Sequence, residues 1–198
     1  VLFLSYNDGR AIQPASTKEE LFEGVTYHRV VRDLPRPMVA HILVIDTRTP
    51  GLKFLVTPQD AKGERPLVAR RTSEFLAEFD VQIAINGDGF VPWWSRSPFD
   101  YYPHTGDPVT PIGKSASRGK IYSLDSEEVV GLEPTLYIGR RHDMIFNIEP
   151  SKVYNAISGD RMLVVNGEPV AGLGDEELDP RTAIGFDKKG RYLVIVVV

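Results

Sequence analysis

Short apolar runs broken by glycine and proline dominate the pattern of this sequence. Residues 25–32 alternate between apolar and polar positions, and residues 39–46 are apolar almost throughout, so both predict strands. Similar runs predict further strands at residues 52–57, 81–85, 121–124, 135–138, 162–165, 182–186 and 192–198. The Asn166-Gly167 pair predicts a hairpin turn after residues 162–165.

Helical spacing occurs in one segment. Within residues 67–79, Phe75, Leu76 and Phe79 recur at the intervals of a helix face, and Thr72 or Ser73 can cap its first turn. Many short strands and one main helix predict an α+β fold, a single strand-rich mixed domain. The sequence shows no internal repeat and no low-complexity linker that would divide it.

Both ends of the sequence are apolar. The chain starts with Val-Leu-Phe-Leu and ends in the apolar run 192–198, whereas natural termini are usually polar. We therefore expect an N-terminal segment, such as a targeting signal, and a C-terminal continuation to be missing. The alternative is an ordinary C-terminal strand. An incomplete C-terminus predicts a companion C-terminal fragment or a homo-oligomer as partner, because an open strand edge tends to pair.

Composition excludes several classes of partner. The 198 residues include 23 Lys and Arg against 27 Asp and Glu, so no basic excess is available to bind nucleic acid. There is no cysteine, which rules out a disulfide framework and thiolate metal sites. The four histidines lack metal-ligand spacing, and no apolar run is long enough to cross a bilayer, so we predict neither a metal nor a membrane span.

The first candidate for chemistry is the turn Asn86-Gly-Asp-Gly-Phe90, which follows a predicted strand. Its two glycines allow the backbone to approach a ligand closely, while Asn86 and Asp88 supply an amide and a carboxylate. The alternative is a tight turn in which these two side chains bond to their own backbone.

An aromatic loop follows this turn. Residues 91–104 contain Trp93, Trp94, Tyr101 and Tyr102, whose flat amphipathic rings suit stacking on a sugar. The alternative is a loop that folds over the core and is held by its own rings. Histidine commonly acts as an acid or base near neutral pH, which makes His104 a further candidate.

A second candidate is Arg181, at the start of the strand predicted for residues 182–186. Its guanidinium is a natural receptor for phosphate or carboxylate. The alternative is a structural ion pair with Asp175, Glu176, Glu177 or Asp179. Residues 155–161 form a third stretch, small and polar, whose backbone amides could bind an anion.

Four short motifs occur in a specific order along the chain. They are Arg-Pro before Val-Ala-His-Ile-Leu-Val-Ile-Asp (36–46), Ala-Ile-Asn-Gly-Asp-Gly-Phe (84–90), Asn-Ala-Ile-Ser-Gly (155–159) and Asp-Pro-Arg-Thr-Ala-Ile-Gly (179–185). In this order they resemble the phosphodiester glycosidase family. That family includes the enzyme that uncovers mannose 6-phosphate by removing N-acetylglucosamine, and bacterial proteins linked to exopolysaccharide. The resemblance covers residues 25–198, which leaves 1–24 as an N-terminal extension.

The resemblance implies hydrolysis at a sugar carbon that is joined through phosphate to another group, with release of a sugar and a phosphomonoester. It implies a carbohydrate or sugar-phosphate substrate, no cofactor, and an extracytoplasmic or secreted location. The alternative function is a noncatalytic module with the same fold that binds glycan or takes part in exopolysaccharide and envelope assembly.

The resemblance also assigns residues. Asn86, Gly87 and Phe90 match the family's Asn-Gly-x-Phe turn, to which Asp88-Gly89 adds a residue. The family's later Asp-Gly-Arg and Asp-Gly-Gly-Gly-Ser elements have no counterpart before Val198. Ser158 and Gly159 match the family's Ser-Gly turn, and Arg181 and Thr182 match its Pro-Arg-Thr motif. The residue chemistry and the resemblance together give Asp88 and Arg181 as catalytic candidates, and Asn86, Gly87, Phe90, His104, Ser158, Gly159 and Thr182 as substrate-binding candidates.

Overall fold

A computed structural model of the chain describes residues 15–34, 37–60, 62–122, 133–173 and 181–198. The chain forms two compact units: Val1–Leu52 with Gly174–Val198, and Lys53–Leu173. The described strands are β1 (Thr17–Phe22), β2 (Val25–Arg32), β3 (Met38–Asp46), β4 (Leu67–Val68), β5 (Phe90–Val91), β6 (Trp94–Ser97), β7 (Asp100–Tyr102), β8 (Pro108–Pro111), β9 (Ala116–Ser117), β10 (Lys120–Ile121), β11 (Thr135–Ile138), β12 (Met144–Phe146), β13 (Asn155–Ser158), β14 (Val164–Val165), β15 (Glu168–Pro169), β16 (Thr182–Phe186) and β17 (Tyr192–Val197). The described helix is α1 (Thr72–Glu78).

The first unit contains an antiparallel sheet in the order β1-β2-β3-β17-β16. Its buried side chains come from the three central strands: Val25, Ala40, Ile45, Leu193 and Ile195. The apolar character of β17 follows from its place between β3 and β16, where it has a partner on each side. The predicted strands at 25–32, 39–46, 182–186 and 192–198 are confirmed to within one residue at each end.

The second unit is built around an antiparallel sheet in the order β10-β9-β13-β11-β12. Ala116, Tyr137 and Ala156 form its buried centre, with Leu136 beside them in β11. A three-stranded sheet, β4-β8-β5, and two hairpins, β6-β7 and β14-β15, belong to the same unit. The strand predicted at 135–138 is confirmed, and the β14-β15 turn is the predicted Asn166-Gly167, with φ of 54° and 86°.

The predicted helix at 67–79 is shorter than expected. Leu67 and Val68 form β4, paired with β8, and α1 begins only after Arg71. The Arg71 N–H donates to the Glu74 carboxylate (2.7 Å), which caps the first turn. The regular secondary structure of the described residues is mostly strand, with this one short helix, so the strand-rich character is confirmed and the α+β class stays a prediction.

Two predicted strands are wrong, because residues 52–57 and 81–85 form no strand. Along 52–57 the carbonyl groups accept side-chain hydrogen bonds in place of ladder bonds. Asn155 Nδ2 donates to the Phe54 carbonyl (3.0 Å) and Ser117 Oγ to the Val56 carbonyl (2.7 Å). At the start of 81–85 the Val81 N–H donates to the carbonyl of Leu76 in α1 (3.2 Å). This N–H is therefore bonded to the helix and not to a neighbouring strand.

Two further predictions are confirmed in part. Of residues 121–124, Ile121 lies in β10, while 123 and 124 fall outside the described residues. Of residues 162–165, only Val164–Val165 pair as a strand. No helix within the described ranges has the length and apolar character needed to span a membrane.

Candidate active site

A buried glycine in the second unit, Gly113, is surrounded by polar side chains from three segments. A Cβ at this position would lie 2.3 Å from Glu133 Oε2, 2.3 Å from Ser158 Cβ and 2.5 Å from Ser158 Oγ. The Gly113 N–H donates to Asp88 Oδ2 (2.7 Å). Only glycine fits where these three side chains converge. We call Asp88, Gly113, Glu133 and Ser158 the Gly113 cluster.

Pairing between β5 and β8 places Asp88 beside Gly113. Asp88 and Gly89 directly precede β5, and Ile112 and Gly113 directly follow β8, so the antiparallel pair brings these ends together. The Ile112 N–H donates to the Gly89 carbonyl (2.9 Å) and extends the pairing. The Gly89 N–H donates to Asp88 Oδ1 (2.7 Å), so each oxygen of this carboxylate accepts a backbone N–H.

Ser158 enters the cluster from the end of β13. Its Oγ donates to the Lys114 carbonyl (2.7 Å) and lies 3.3 Å from Thr135 Oγ1. The Gly159 N–H donates to the Pro134 carbonyl (2.9 Å), which holds the segment that precedes β11. These bonds fix both Ser158 and the residues around Glu133.

The structure thus brings together two motifs that are 70 residues apart in the sequence. A Cβ at Gly87 would lie 3.1 Å from Ile157 Cδ1, next to Ser158 in β13. The Asn-Gly turn and the Ser-Gly turn therefore meet in the second unit. That both turns contribute to one site stays a prediction.

Sequence reasoning missed Glu133, which precedes β11. Its Oε2 is the buried side-chain polar atom that lacks a hydrogen-bond partner within the part of the chain described. Burial raises the pKa of Glu133, and the negative charges of Asp88 and Asp160 raise it further. No spacing rule marks this residue, because its position depends on how β11 pairs with β13 far along the chain.

Asp88 also has a raised pKa. Burial is the main cause, and the N–H groups of Gly113 and Gly89 oppose it by stabilising the charged form. Two hydrogen bonds therefore stabilise the ionised form of Asp88. Glu133 Oε2 has no such donor among the described residues, so Glu133 is the carboxyl group favoured to keep a proton. Two carboxyl groups with these different environments can divide the roles of base and acid.

Four other predicted site residues lie in the turn and loop around Asp88. Asn86 and Gly87 are exposed, and Phe90 is partly exposed in β5. His104 lies in an exposed loop, where its ring packs 4.4 Å from the Tyr101 ring. The His104 N–H donates to the Asp107 carboxylate (2.8 Å), and its Nδ1 lies 3.5 Å from the same group.

Arg181 and Thr182 belong to the first unit. Arg181 is exposed, its backbone exchanges two hydrogen bonds with Val198 (3.1 and 2.9 Å), and Thr182 begins β16. The acidic residues considered as its ion-pair partners, 175–177 and 179, lie outside the described residues. The phosphate-binding role of Arg181 therefore stays a prediction.

Metal chemistry has no obvious ligands in the described parts of the chain. No group of three or more His, Asp or Glu side chains there is placed to hold a metal ion.

Comparison with known proteins adds one finding. A family model described as phosphodiester glycosidase matches residues 79–198, more than half of the chain. No match was found among curated proteins or among solved structures. The matched range contains the whole Gly113 cluster and the segment with Arg181. This confirms the resemblance seen in the motifs, and the chain belongs to the phosphodiester glycosidase family.

Proposed function

We propose that the Gly113 cluster hydrolyses a sugar phosphodiester at the anomeric carbon and releases a free sugar and a phosphomonoester. Family membership supports phosphodiester glycosidase activity in general terms. The observation that carries the proposal is the buried Glu133 Oε2, which has no hydrogen-bond partner among the described residues and lies beside Gly113, whose N–H donates to the Asp88 carboxylate.

In this proposal Glu133 is the general acid. A carboxyl group that is partly buried, next to a negative charge, and has one buried oxygen without a hydrogen-bond donor keeps its proton to a higher pH than an exposed one. Its proton goes to the phosphate oxygen that leaves the anomeric carbon. A phosphomonoester leaves more readily than a sugar hydroxyl, so the acid is needed less than in an ordinary glycosidase, but it still lowers the barrier.

Asp88 is the general base. Its carboxylate takes a proton from the attacking water, whose oxygen forms the new bond to the anomeric carbon as the bond to the phosphate oxygen breaks. The electron pair of the broken bond stays on the phosphate. The N–H groups of Gly89 and Gly113 hold both Asp88 oxygens, and this fixes the direction in which the base faces.

Sugar release by the intact chain tests the function. The probes are methyl phosphodiesters of N-acetylglucosamine, glucose and mannose 1-phosphate, because the sugar is not identified. We expect Glu133→Gln to lower kcat on the hydrolysed probe by about 100-fold, the low end of what general acid catalysis contributes, because the phosphomonoester leaves readily. Asp88→Asn should have a loss of similar size.

A matched control is Glu168→Gln, an exposed glutamate in β15 of the same unit, which should keep wild-type turnover. Because Glu133 acts when protonated and Asp88 when ionised, wild-type kcat should fall at both low and high pH, and Glu133→Gln should lose the fall at high pH. Wild-type release of no sugar from any probe, or equal turnover of Glu133→Gln and Glu168→Gln, would contradict the proposal.

We further propose that Arg181 binds the substrate phosphate. The support is its place in the Pro-Arg-Thr motif within the matched range and its exposed position at the start of β16. Arg181→Ala should raise KM for the hydrolysed probe by about tenfold, the usual effect of losing one charge-assisted hydrogen bond. Full wild-type kcat/KM in this variant would show that the assignment is wrong.

A further inference from the structure

The hairpin β6-β7 presents aromatic side chains to solvent. Trp93, just before it, is 68% exposed, and Phe99, in its turn, is 94% exposed. Large aromatic side chains are costly to leave in water, so their exposure together points to a binding surface. Trp93 and Trp94 are also the two tryptophans of the whole chain. We call residues 93–102 the aromatic hairpin.

The aromatic hairpin is held in one shape by contacts among its own residues. The Trp94 and Tyr102 rings stack with their centres 6.2 Å apart and an angle of 23° between the planes. The Arg96 guanidinium lies 4.9 Å from the centre of the Trp94 ring. The Tyr102 hydroxyl donates to the Pro108 carbonyl (2.7 Å), which ties the hairpin to β8. A ligand therefore meets a surface that is already ordered.

The same strands connect the aromatic hairpin to the Gly113 cluster. The strand β5 lies between Asp88 and Trp93, and β8 lies between Tyr102 and Gly113. Trp93 is five positions after Asp88, so their Cα atoms lie no more than about 17 Å apart. A glycan of a few units can therefore reach from the cluster at one end of β5 to the hairpin at the other.

Arg96 adds a positive charge to the aromatic hairpin. Its side chain is 76% exposed, and its Nη1 lies 3.9 Å from Asp100 Oδ2, a long ion pair between two exposed groups. Pairs of this kind contribute little, so Arg96 can exchange Asp100 for a phosphate, which it binds with better geometry. Sugar rings stack on exposed tryptophan faces, and a phosphodiester pairs with the adjacent guanidinium.

We propose that the aromatic hairpin binds a sugar-phosphate unit of an extended, phosphodiester-linked glycan. This inference rests on the proposed function and names its substrate class: an anionic glycan chain whose end is cleaved at the Gly113 cluster while a unit further along lies on the hairpin. Trp93 and Phe99 supply the stacking surface, and Arg96 selects for negative charge.

Intrinsic fluorescence tests the inference directly, because both tryptophans of the chain lie in the aromatic hairpin. The intact protein is titrated with an oligomer of N-acetylglucosamine units joined by phosphodiesters, and with a neutral N-acetylglucosamine oligomer of equal length. We expect a saturable emission change with the anionic oligomer and an affinity for the neutral one that is lower by about tenfold. Arg96→Gln should abolish this difference.

Vesicles of anionic phospholipid form a third arm, since exposed tryptophan and arginine also occur in membrane-binding loops. An emission change with vesicles and none with either oligomer would overturn the inference in favour of a membrane surface. No emission change with any of the three probes would also overturn it.

A calorimetric measurement, which does not depend on tryptophan, compares two variants. The double variant Trp93→Ala with Phe99→Ala should bind the anionic oligomer about tenfold more weakly or worse. In the same double variant, kcat/KM for the oligomer should fall by a similar factor relative to kcat/KM for the hydrolysed methyl diester. The control is Ile148→Ala, which removes a 62% exposed side chain elsewhere in the second unit and should match wild type.

The two proposals can fail separately. Binding of the oligomer at the aromatic hairpin without sugar release would remove the proposed function and leave the glycan-binding role of the hairpin standing. Sugar release from the oligomer with unchanged affinity in the double variant would remove this inference and leave the proposed function.

Discussion

Two acidic sites, one in each unit, have opposite electrostatics. In the first unit, Asp46 Oδ2 accepts hydrogen bonds from Arg191 Nη2 (2.7 Å) and Nε (3.1 Å), and Asp46 Oδ1 accepts the Arg48 N–H (3.1 Å). Together these donors lower the pKa of Asp46, and the Arg191 hydrogen bond contributes most. In the second unit, burial raises the pKa of both Asp88 and Glu133.

The turn between β16 and β17 contains a second carboxylate of the first unit, Asp187, that accepts hydrogen bonds on both oxygens. Asp187 Oδ1 accepts the N–H groups of Arg191 (2.6 Å) and Tyr192 (2.7 Å), and Asp187 Oδ2 accepts that of Lys189 (3.2 Å). The hydrogen bond from Tyr192 is the main reason why its pKa is lowered. Every oxygen of Asp46 and Asp187 therefore has a donor.

The difference separates structural carboxylates from reactive ones. For Asp46 and Asp187 the hydrogen bonds outweigh burial, so these carboxylates are most stable when ionised, and they hold β-strands and turns together without exchanging protons near neutral pH. For Asp88 burial outweighs its two hydrogen bonds, so its pKa is raised instead. Glu133 Oε2, by contrast, has no donor among the described residues, which makes its proton available for transfer. The three predictions below test this contrast, in order of decreasing effect on stability.

Gly113→Ala should have the largest effect. The added Cβ would lie 2.3 Å from Ser158 Cβ, which is fixed in β13 and cannot rotate away. We expect a loss of about 2–3 kcal/mol in the free energy of unfolding, as for other overpacked cores, and a loss of turnover. Urea denaturation measures the change. Gly185→Ala, where nothing lies within 4 Å of the new Cβ, is the control, and an equal loss in both variants would show that Gly113 is not specially packed.

Asp46→Asn should have a smaller effect that depends on pH. The folded-state pKa of Asp46 is lowered, so its stabilising contribution is present above the ordinary carboxyl pKa of about 4 and is lost as the pH falls through the folded value. The variant should unfold at lower temperature than wild type at neutral pH, and the two should converge in acid. The exposed Asp33→Asn is the control, and a difference that persists unchanged in acid would contradict the ion-pair explanation.

Glu133→Gln should have the smallest effect on stability, and its sign should be opposite. The folded-state pKa of Glu133 is raised, so ionisation of this group in the folded protein costs stability as the pH rises above its unfolded value. The variant should gain less than about 1 kcal/mol at neutral pH, because solvent reaches part of the side chain, and nothing below about pH 4. A loss of stability at neutral pH would instead indicate that the charge of Glu133 has a structural partner.

The sequence predicted those parts of the fold whose signal is local. Strand β11 at 135–138 and the Asn166-Gly167 turn could be found because alternation and turn preference act over a few residues. Residues 52–57 and 81–85 had the same apolar signal, yet they form no strand. Whether such a segment pairs depends on distant side chains such as Asn155, which bonds to the Phe54 carbonyl 101 positions away.

The same limit applies to the candidate site. Asn86, Asp88 and Ser158 lie in glycine-containing motifs that can be recognised from their order along the chain. Glu133 has no motif, and its importance comes from burial, from the lack of a donor and from the nearby charge of Asp88. These are properties of the folded state, which the order of residues does not display.

Titration of the side-chain carboxyl carbons of Asp46, Asp88 and Glu133 by NMR tests the central contrast most directly. The account predicts midpoints above the ordinary carboxyl range of about 4 for Asp88 and Glu133, and a midpoint below it for Asp46. Assignment follows from the loss of one signal in each of Asp46→Asn, Asp88→Asn and Glu133→Gln. A Glu133 midpoint at or below that of Asp46 would contradict the claim that Glu133 holds the proton for catalysis.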